Sequence, residues 1–349
     1  MGRFSSYTRF FQRTRSLSSF SRVSGGFAGG RNPRFVPYYV YAIGGGGVVL
    51  LGSLGYTYYT HLDRAPLTGR RRWIATTAEW EASLGHAEYK QLLHQYHPDI
   101  LPPQHRASIT LHRVGAAIAA SSLQFAQRHG LQSYVETYKN NPYTFTVVKS
   151  DSVANAFVLP GNHVFLFTGL LRYIHSEDEL AAVLGHEVAH NLARHAGEKI
   201  SGGILLQLLG MLAWWVDPSG ALYYWLVPAA ALFRELPNSR TQEMEADQIG
   251  LQITAGACYE PQAAKRLFVA MSQDDKGSTT GPEFLSTHPS HATRIEQIDE
   301  WIPHAVRQVR LADEWYDTRC QSVRDRMRHA RQLASEEATA RERKEEMGS

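Results

Sequence analysis

The sequence predicts an α+β fold, mainly helical, with a small β-sheet and one transmembrane helix ahead of the folded body. Three observations predict it: two helical segments that carry capping boxes, two apolar segments flanking Pro160-Gly161-Asn162, and a run from Phe35 to Thr60 without a charged residue. At 349 residues the chain can bury a sizeable core.

Residues 1–34 hold seven arginines and no Asp, Glu or Lys. Phe10, Phe11, Leu17 and Phe20 are interspersed as an amphipathic segment would place them, which is the composition of a mitochondrial transit peptide. Removing those seven from the 36 basic residues leaves 29 against 33 acids, a mildly acidic body, so a nucleic-acid partner is not expected. Residues 35–60 read as the transmembrane helix, which makes the lipid bilayer a partner. At about 1.5 Å per residue, Tyr39 and Tyr58 stand about 28 Å apart, the spacing of two aromatic belts. The glycines from Gly44 to Gly47 permit close helix contact, which leaves a homo-oligomer open. Arginines flank the run on both sides, so charge does not orient it.

Residues 61–105 read as a linker and helical lead-in, 106–310 as the main domain, and 311–349 as a charged helical tail with no apolar stripe to bury. Within the domain, residues 107–128 have helical periodicity through Ile109, Val114, Ile118, Leu123 and Phe125. Tyr143 to Val148 alternates as a strand does, and Ala156 to Leu159 and Val164 to Thr168 flank the turn. Ser176 with Glu179 opens a helix that can run to about Ala196, where Gly197 suits its end. Ser239 with Gln242 opens a second, running to about Ala255. Between them, Ile200 to Val216 and Ala221 to Phe233 are apolar and divided by Asp217-Pro218. Each is short for a span, so a buried or membrane-contacting helical hairpin is expected in place of two further crossings. Cys258 and Cys320 stand far apart, which excludes a disulfide framework and a Cys-based metal site. They read as two unpaired thiols, with a single bridge left open.

The chemistry lies in His186-Glu187-Val188-Ala189-His190, an H-E-x-x-H inside the first capped helix. One turn apart and about 40° round, the two imidazoles reach one zinc ion, while Glu187 lies on the shoulder of that face, placed to activate water without being a ligand. His195, about 180° from His186 on the same helix, is not expected to join them. Ala182, Gly185, Ala189 and Ala193 leave room for a second helix. A catalytic zinc takes three protein ligands and keeps one open position. The second capped helix offers Glu243-Met244-Glu245-Ala246-Asp247, in which Glu243 and Asp247 share a face. That suits Glu243 as ligand and Asp247 as a carboxylate holding a ligand histidine from behind, although periodicity favours Glu243 over Glu245 only weakly. The rival is a non-catalytic membrane adaptor whose zinc is structural, and such sites are usually closed by four protein ligands.

Leu184 to His190 followed by Glu243-Met244-Glu245-Ala246-Asp247 resembles the gluzincin family of the CAAX prenyl protease and the bacterial heat-shock protease HtpX, with its H-E-x-x-H and E-x-x-A-D motifs. The resemblance implies a zincin-like metallopeptidase domain with Glu243 as the third ligand. More narrowly, Phe157 to Gly161, Phe165 to Leu171, and Thr287-His288-Pro289-Ser290 with Arg294 are similar to the Oma group of ATP-independent peptidases of the mitochondrial inner membrane. That likeness covers roughly residues 100–300. It implies a domain facing the intermembrane space and membrane-protein substrates such as a dynamin-like fusion GTPase. The family also places a histidine near position 288. His288 is accordingly expected to donate a hydrogen bond to the carbonyl oxygen as water attacks, and Arg294 to anchor a carboxylate.

Overall fold

The computed structural model describes residues 52–53, 55–275, 283–288, 292–326, 328–329 and 332, with the backbone alone described for 229–239, 274–275, 286–287 and 292–293. The expected transit peptide and most of the expected membrane span lie outside these residues. Residues 55–60, the end of the uncharged run, are helical and expose Tyr56, Tyr58 and Tyr59. The architecture is α+β and mainly helical, with a three-stranded sheet and a separate two-stranded one.

The stretch expected as linker and lead-in folds. Strands β1 (Leu62–Arg64) and β2 (Arg71–Trp73) form an antiparallel hairpin, and helix α1 (Ala78–Gln95) follows, capped by Thr77, whose hydroxyl accepts from the Trp80 N–H at 3.2 Å. The physical reason is ion pairing invisible to local composition: Arg72 is buried and bonds Asp63, and Glu81 of α1 binds Arg194 at 2.6 Å.

Helix α2 (Arg106–Arg128) buries Leu111, Val114, Ile118 and Phe125. Ile109, expected on that stripe, is 54% exposed, because Leu111 and Val114 set the inward face. Helix α3 (Gln132–Asn140) leads to β3 (Thr144–Val148), β4 (Ala156–Leu159) and β5 (His163–Phe167). β5 lies in the middle, parallel to β3 and antiparallel to β4, with Phe165 paired to Thr146 on one side and Phe157 on the other. Pro160 and Gly161 make the β4–β5 turn: the Asn162 N–H bonds the Leu159 carbonyl at 3.2 Å, and Gly161 takes the positive φ of 85° that this turn needs after proline.

Helix α4 (Glu177–Leu192) starts with the complete Ser176/Glu179 capping box. It ends earlier than expected. The left-handed residue is Arg194 (φ 56°), not Gly197, and the strain of that conformation is offset by the Arg194 bonds to Glu81 and to the Thr76 carbonyl. Gly197 lies inside helix α5 (His195–Val216), where a Cβ would stand 2.1 Å from a Glu81 carboxylate oxygen. Helix α6 (Ala221–Gly256) is continuous for 36 residues, so Ser239 with Gln242 opens no new helix. Gln242 is buried beside Glu198 in place of capping.

α4 and α6 cross almost backbone to backbone. A Cβ on Gly185 would come within 2.5 Å of the Thr254 hydroxyl, and one on Gly250 within 3.0 Å of the His186 nitrogen. Helices α7 (Gln262–Asp275), α8 (Glu283–Thr287) and α9 (Ala292–Ala312) close the core over this crossing, contributing Leu267, Phe268, Met271, Phe284 and Ile298. Cys258 and Cys320 form a disulfide, which corrects the expectation of two free thiols: residues 316–326 are helical and bring Cys320 to the end of α6. Tyr316 and Cys320 are buried with Ala255, Cys258 and Val309. The start of the expected solvated tail is therefore packed, through a short apolar stripe of Tyr316, Cys320 and Val323 at i, i+4 and i+7.

Candidate metal centre

The α4–α6 crossing sets His186, Glu187 and His190 on one helix against Glu243 and Asp247 on the other, and the loop after α8 brings in His288. The ring nitrogens of His186 and His190 lie Nε2 to Nε2 at 3.1 Å. The Glu243 carboxylate oxygens stand 3.3 Å from His186 Nε2 and 3.4 Å from His190 Nε2. His288 Nδ1 lies 3.0 and 3.1 Å from the two Glu243 oxygens. One donor atom from each of these four residues falls within 4.8 Å of the others.

Each ligand histidine is held through its far nitrogen. Asp247 accepts from His186 Nδ1 at 2.9 Å, so Nε2 is the nitrogen that faces the cluster. Arg294, buried above Phe268, donates to both Asp247 oxygens at 2.5 and 2.9 Å and reaches Glu243 at 3.0 Å. Behind His190 the support is different. His190 Nδ1 meets His195 Nδ1 at 2.8 Å, and His195 Nε2 meets a Glu245 oxygen at 3.1 Å. A carboxylate only accepts, so His195 carries its proton on Nε2, accepts at Nδ1 from the His190 Nδ1–H, and leaves the His190 Nε2 lone pair to the cluster. Glu245 is fixed in turn by Thr68 at 2.6 Å and Arg70 at 2.9 and 3.0 Å.

Electrostatics follow from burial and pairing. Burial alone would raise Glu243 and Asp247. The neighbouring histidines hold Glu243 well below the usual carboxylate range, and Arg294 with His186 does the same for Asp247. Burial pushes down the basicity of His190 and His195 and so keeps them neutral. For His186 burial also lowers, but Asp247 and Glu243 outweigh it and hold it up at about 9. Glu187 goes the other way: burial raises it, against the opposing pull of His288 and His186. Its Oε1 is buried without an aligned hydrogen bond, although His288 Nε2 stands 3.2 Å away.

These residues fit a metal ion. The Nε2 atoms of His186 and His190, 3.1 Å apart, and the Glu243 oxygens, 3.3 and 3.4 Å from them, stand close to the spacing of about 3.3–3.4 Å that bonds of about 2.0–2.1 Å to one tetrahedral centre require. Without a metal, His186 holds a proton between Asp247 and Glu243, a positive charge that a bound metal would replace.

All seven residues singled out in the sequence meet here: His186, His190, Glu243, Glu187 and His288 at the centre, Asp247 and Arg294 behind it. Sequence reasoning missed Arg70, His195 and Glu245. The left-handed residue at 194 restarts the helix and voids the 180° argument for His195. Because α6 is enclosed on all sides here, Glu245 is as buried as Asp247, and no amphipathic face could separate them. The sheet leaves one edge free next to the site. β5 is paired on both edges, so of the two strands that flank the Pro-Gly-Asn turn only β4 has an unpaired edge among the described strands. β4 also touches the site, since Glu187 bonds the Val158 backbone.

Comparison with known proteins agrees in family. The family model of peptidase family M48 matches residues 125–302. Mitochondrial metalloendopeptidase OMA1 of Saccharomyces cerevisiae is 36% identical over 266 residues, covering 74% of this chain and 74% of that protein. The protein of the same name from Schizosaccharomyces pombe is 35% identical over 289 residues, covering 82% and 78%. The human protein, metalloendopeptidase OMA1, mitochondrial, is 32% identical over 266 residues, covering 72% of this chain and 48% of its own length.

Proposed function

This chain belongs to peptidase family M48 and is a mitochondrial metalloendopeptidase, and from that premise we propose a zinc endopeptidase of the inner membrane that cleaves membrane proteins, without ATP, in quality control or stress-dependent processing. The observation that carries the catalytic part is Glu187: a buried carboxylate of raised basicity, with an oxygen left unbonded, beside three converging ligand atoms. His186, His190 and Glu243 would hold the zinc, which when bound polarises a scissile carbonyl and acidifies water. Glu187 takes the proton of the attacking water and passes it to the leaving amine, a task suited to a group that burial makes more basic. His288, between Glu187 and Glu243, supplies a hydrogen bond to the carbonyl oxygen as charge develops there. The free edge of β4 pairs with an extended substrate and carries it past Glu187. A zinc-bearing adaptor without activity is disfavoured, because such a protein has no use for a buried carboxylate of raised basicity beside the ligands.

The uncharged run at 35–60 supports the membrane reading. The Cys258–Cys320 disulfide favours an oxidising side for the domain, as the intermembrane space would provide. Substrates are proposed to be membrane proteins, a dynamin-like fusion GTPase among them, on the likeness to the Oma group. The test is N-terminal sequencing of fragments formed in mitochondria carrying the active chain or Glu187→Gln. Membrane-protein fragments present only with the active chain support the reading, and identical fragment sets contradict it.

A further inference from the structure

The α5–α6 hairpin projects an apolar tip that the peptidase site does not use. Met211, Trp215, Tyr224 and Trp225 are 68, 76, 74 and 82% exposed, and Leu212, Trp214 and Val216 are also more than half exposed. No charged residue occurs from 200 to 216 or from 218 to 233. The one acid between, Asp217, accepts from the Ser219 hydroxyl and from the N–H groups of Ser219 and Leu222, so the turn itself solvates its carboxylate.

The distribution around the helices identifies what covers them. On α5, Gly210 and Ala213 are buried, and a Cβ on Gly210 would meet the Tyr223 ring of α6 at 2.8 Å. At 100° per residue, the exposed apolar residues from Leu208 to Val216 sweep an arc of about 200° over the rest of the helix. On α6, Leu222 to Leu226 are five consecutive exposed apolar residues and so point in every direction. A protein partner covers one side; hydrocarbon covers all of them.

Residues 55–75 also run beside this hairpin. Arg70 binds Glu198, and the Ala75 N–H binds the Ser201 hydroxyl at 2.9 Å, so β2 runs along α5 towards the tip. β1 returns antiparallel, with the Ile74 N–H bonding the His61 carbonyl and Tyr58 stacked on Trp73. Residues 55–61, which end the uncharged run, thus lie on the tip side of the contact with Glu198.

We propose that the tip of the α5–α6 hairpin inserts into the near leaflet of the lipid bilayer that receives residues 35–60, a proposal that rests on the membrane reading above. Ile204 to Val216 extends about 18 Å at about 1.5 Å per residue, short of a crossing. Trp214, Trp215, Tyr224 and Trp225 flank the turn, where a shallow tip meets the boundary of headgroups and acyl chains.

The test uses the full chain in phosphatidylcholine vesicles, read in two ways. Flotation with the vesicles reports membrane association. Quenching of tryptophan emission by lipids brominated at acyl positions 6 and 7 reports the tip, compared between the parent and the combined variant Trp214→Phe, Trp215→Phe, Trp225→Phe, with cleavage of a soluble peptide confirming that the variant is folded. The expected result is flotation of both, with bromolipid quenching of the parent that falls at least twofold in the variant. A chain that floats while these tryptophans are quenched by aqueous iodide and not by bromolipid overturns the hairpin proposal and leaves the anchor standing. Flotation with neither quencher reaching them overturns it in favour of contact between copies. A chain that does not float overturns both readings.

Discussion

The two ligand histidines sit on one helix four residues apart, yet they are braced in opposite ways. His186 is backed by a charged pair, Asp247 with Arg294, both buried and both from the C-terminal side of the fold. His190 is backed by a neutral imidazole, His195, and only then by Glu245 and the partly exposed Arg70 of the N-terminal β-hairpin. The comparison teaches that the same tautomer can be imposed by direct charge or by relay. The direct brace also neutralises Glu243 and closes the core, so its cation has no substitute. On the relay side Arg72 stays 3.8 Å from Glu198, and Thr68 and His195 still serve Glu245, so loss of Arg70 is partly compensated.

The largest effect is expected for Arg294→Met, which leaves Asp247 and Glu243 buried without their cation and should cost about 3–5 kcal/mol of stability. Urea unfolding of the metal-free chain measures it. A cost equal to that of Arg70→Met, for which about 1–3 kcal/mol is expected from lost charged hydrogen bonds, would erase the distinction between the braces. On turnover, His288→Ala should keep fold and metal and lose about a hundredfold in kcat with little change in KM; normal turnover would return His288 to a structural role. Asp247→Ala should weaken metal affinity about 10- to 100-fold, read by competition with a chromophoric chelator. Glu245→Gln should fall at or below the low end of that range, about tenfold, because His195 remains to accept from His190. An effect as large as that of Asp247→Ala would show that the relay transmits charge as well as orientation.

What was legible in the sequence was local. The capping box at Ser176, the one-turn spacing of His186 and His190, and the Pro-Gly-Asn turn each depend on neighbours within four residues, and each stands where expected. The relay was not legible, because it joins Arg70, His195 and Glu245 across 175 positions of chain through a left-handed arginine that no glycine marks. Nor was the continuity of α6: Ser239 and Gln242 satisfy a helix-start pattern, but Gln242 is turned inward by Glu198, a tertiary partner. The disulfide was hidden for the same reason, since Cys258 and Cys320 are 62 residues apart and meet only because the chain after α9 folds back to the end of α6.

The central claim is that Glu187 moves the proton while His186, His190 and Glu243 hold the metal. Metal content and peptide turnover measured together on Glu187→Gln test it most directly. Near-stoichiometric metal with turnover almost abolished is the expected result. Loss of metal along with activity would make Glu187 a ligand and contradict the assignment.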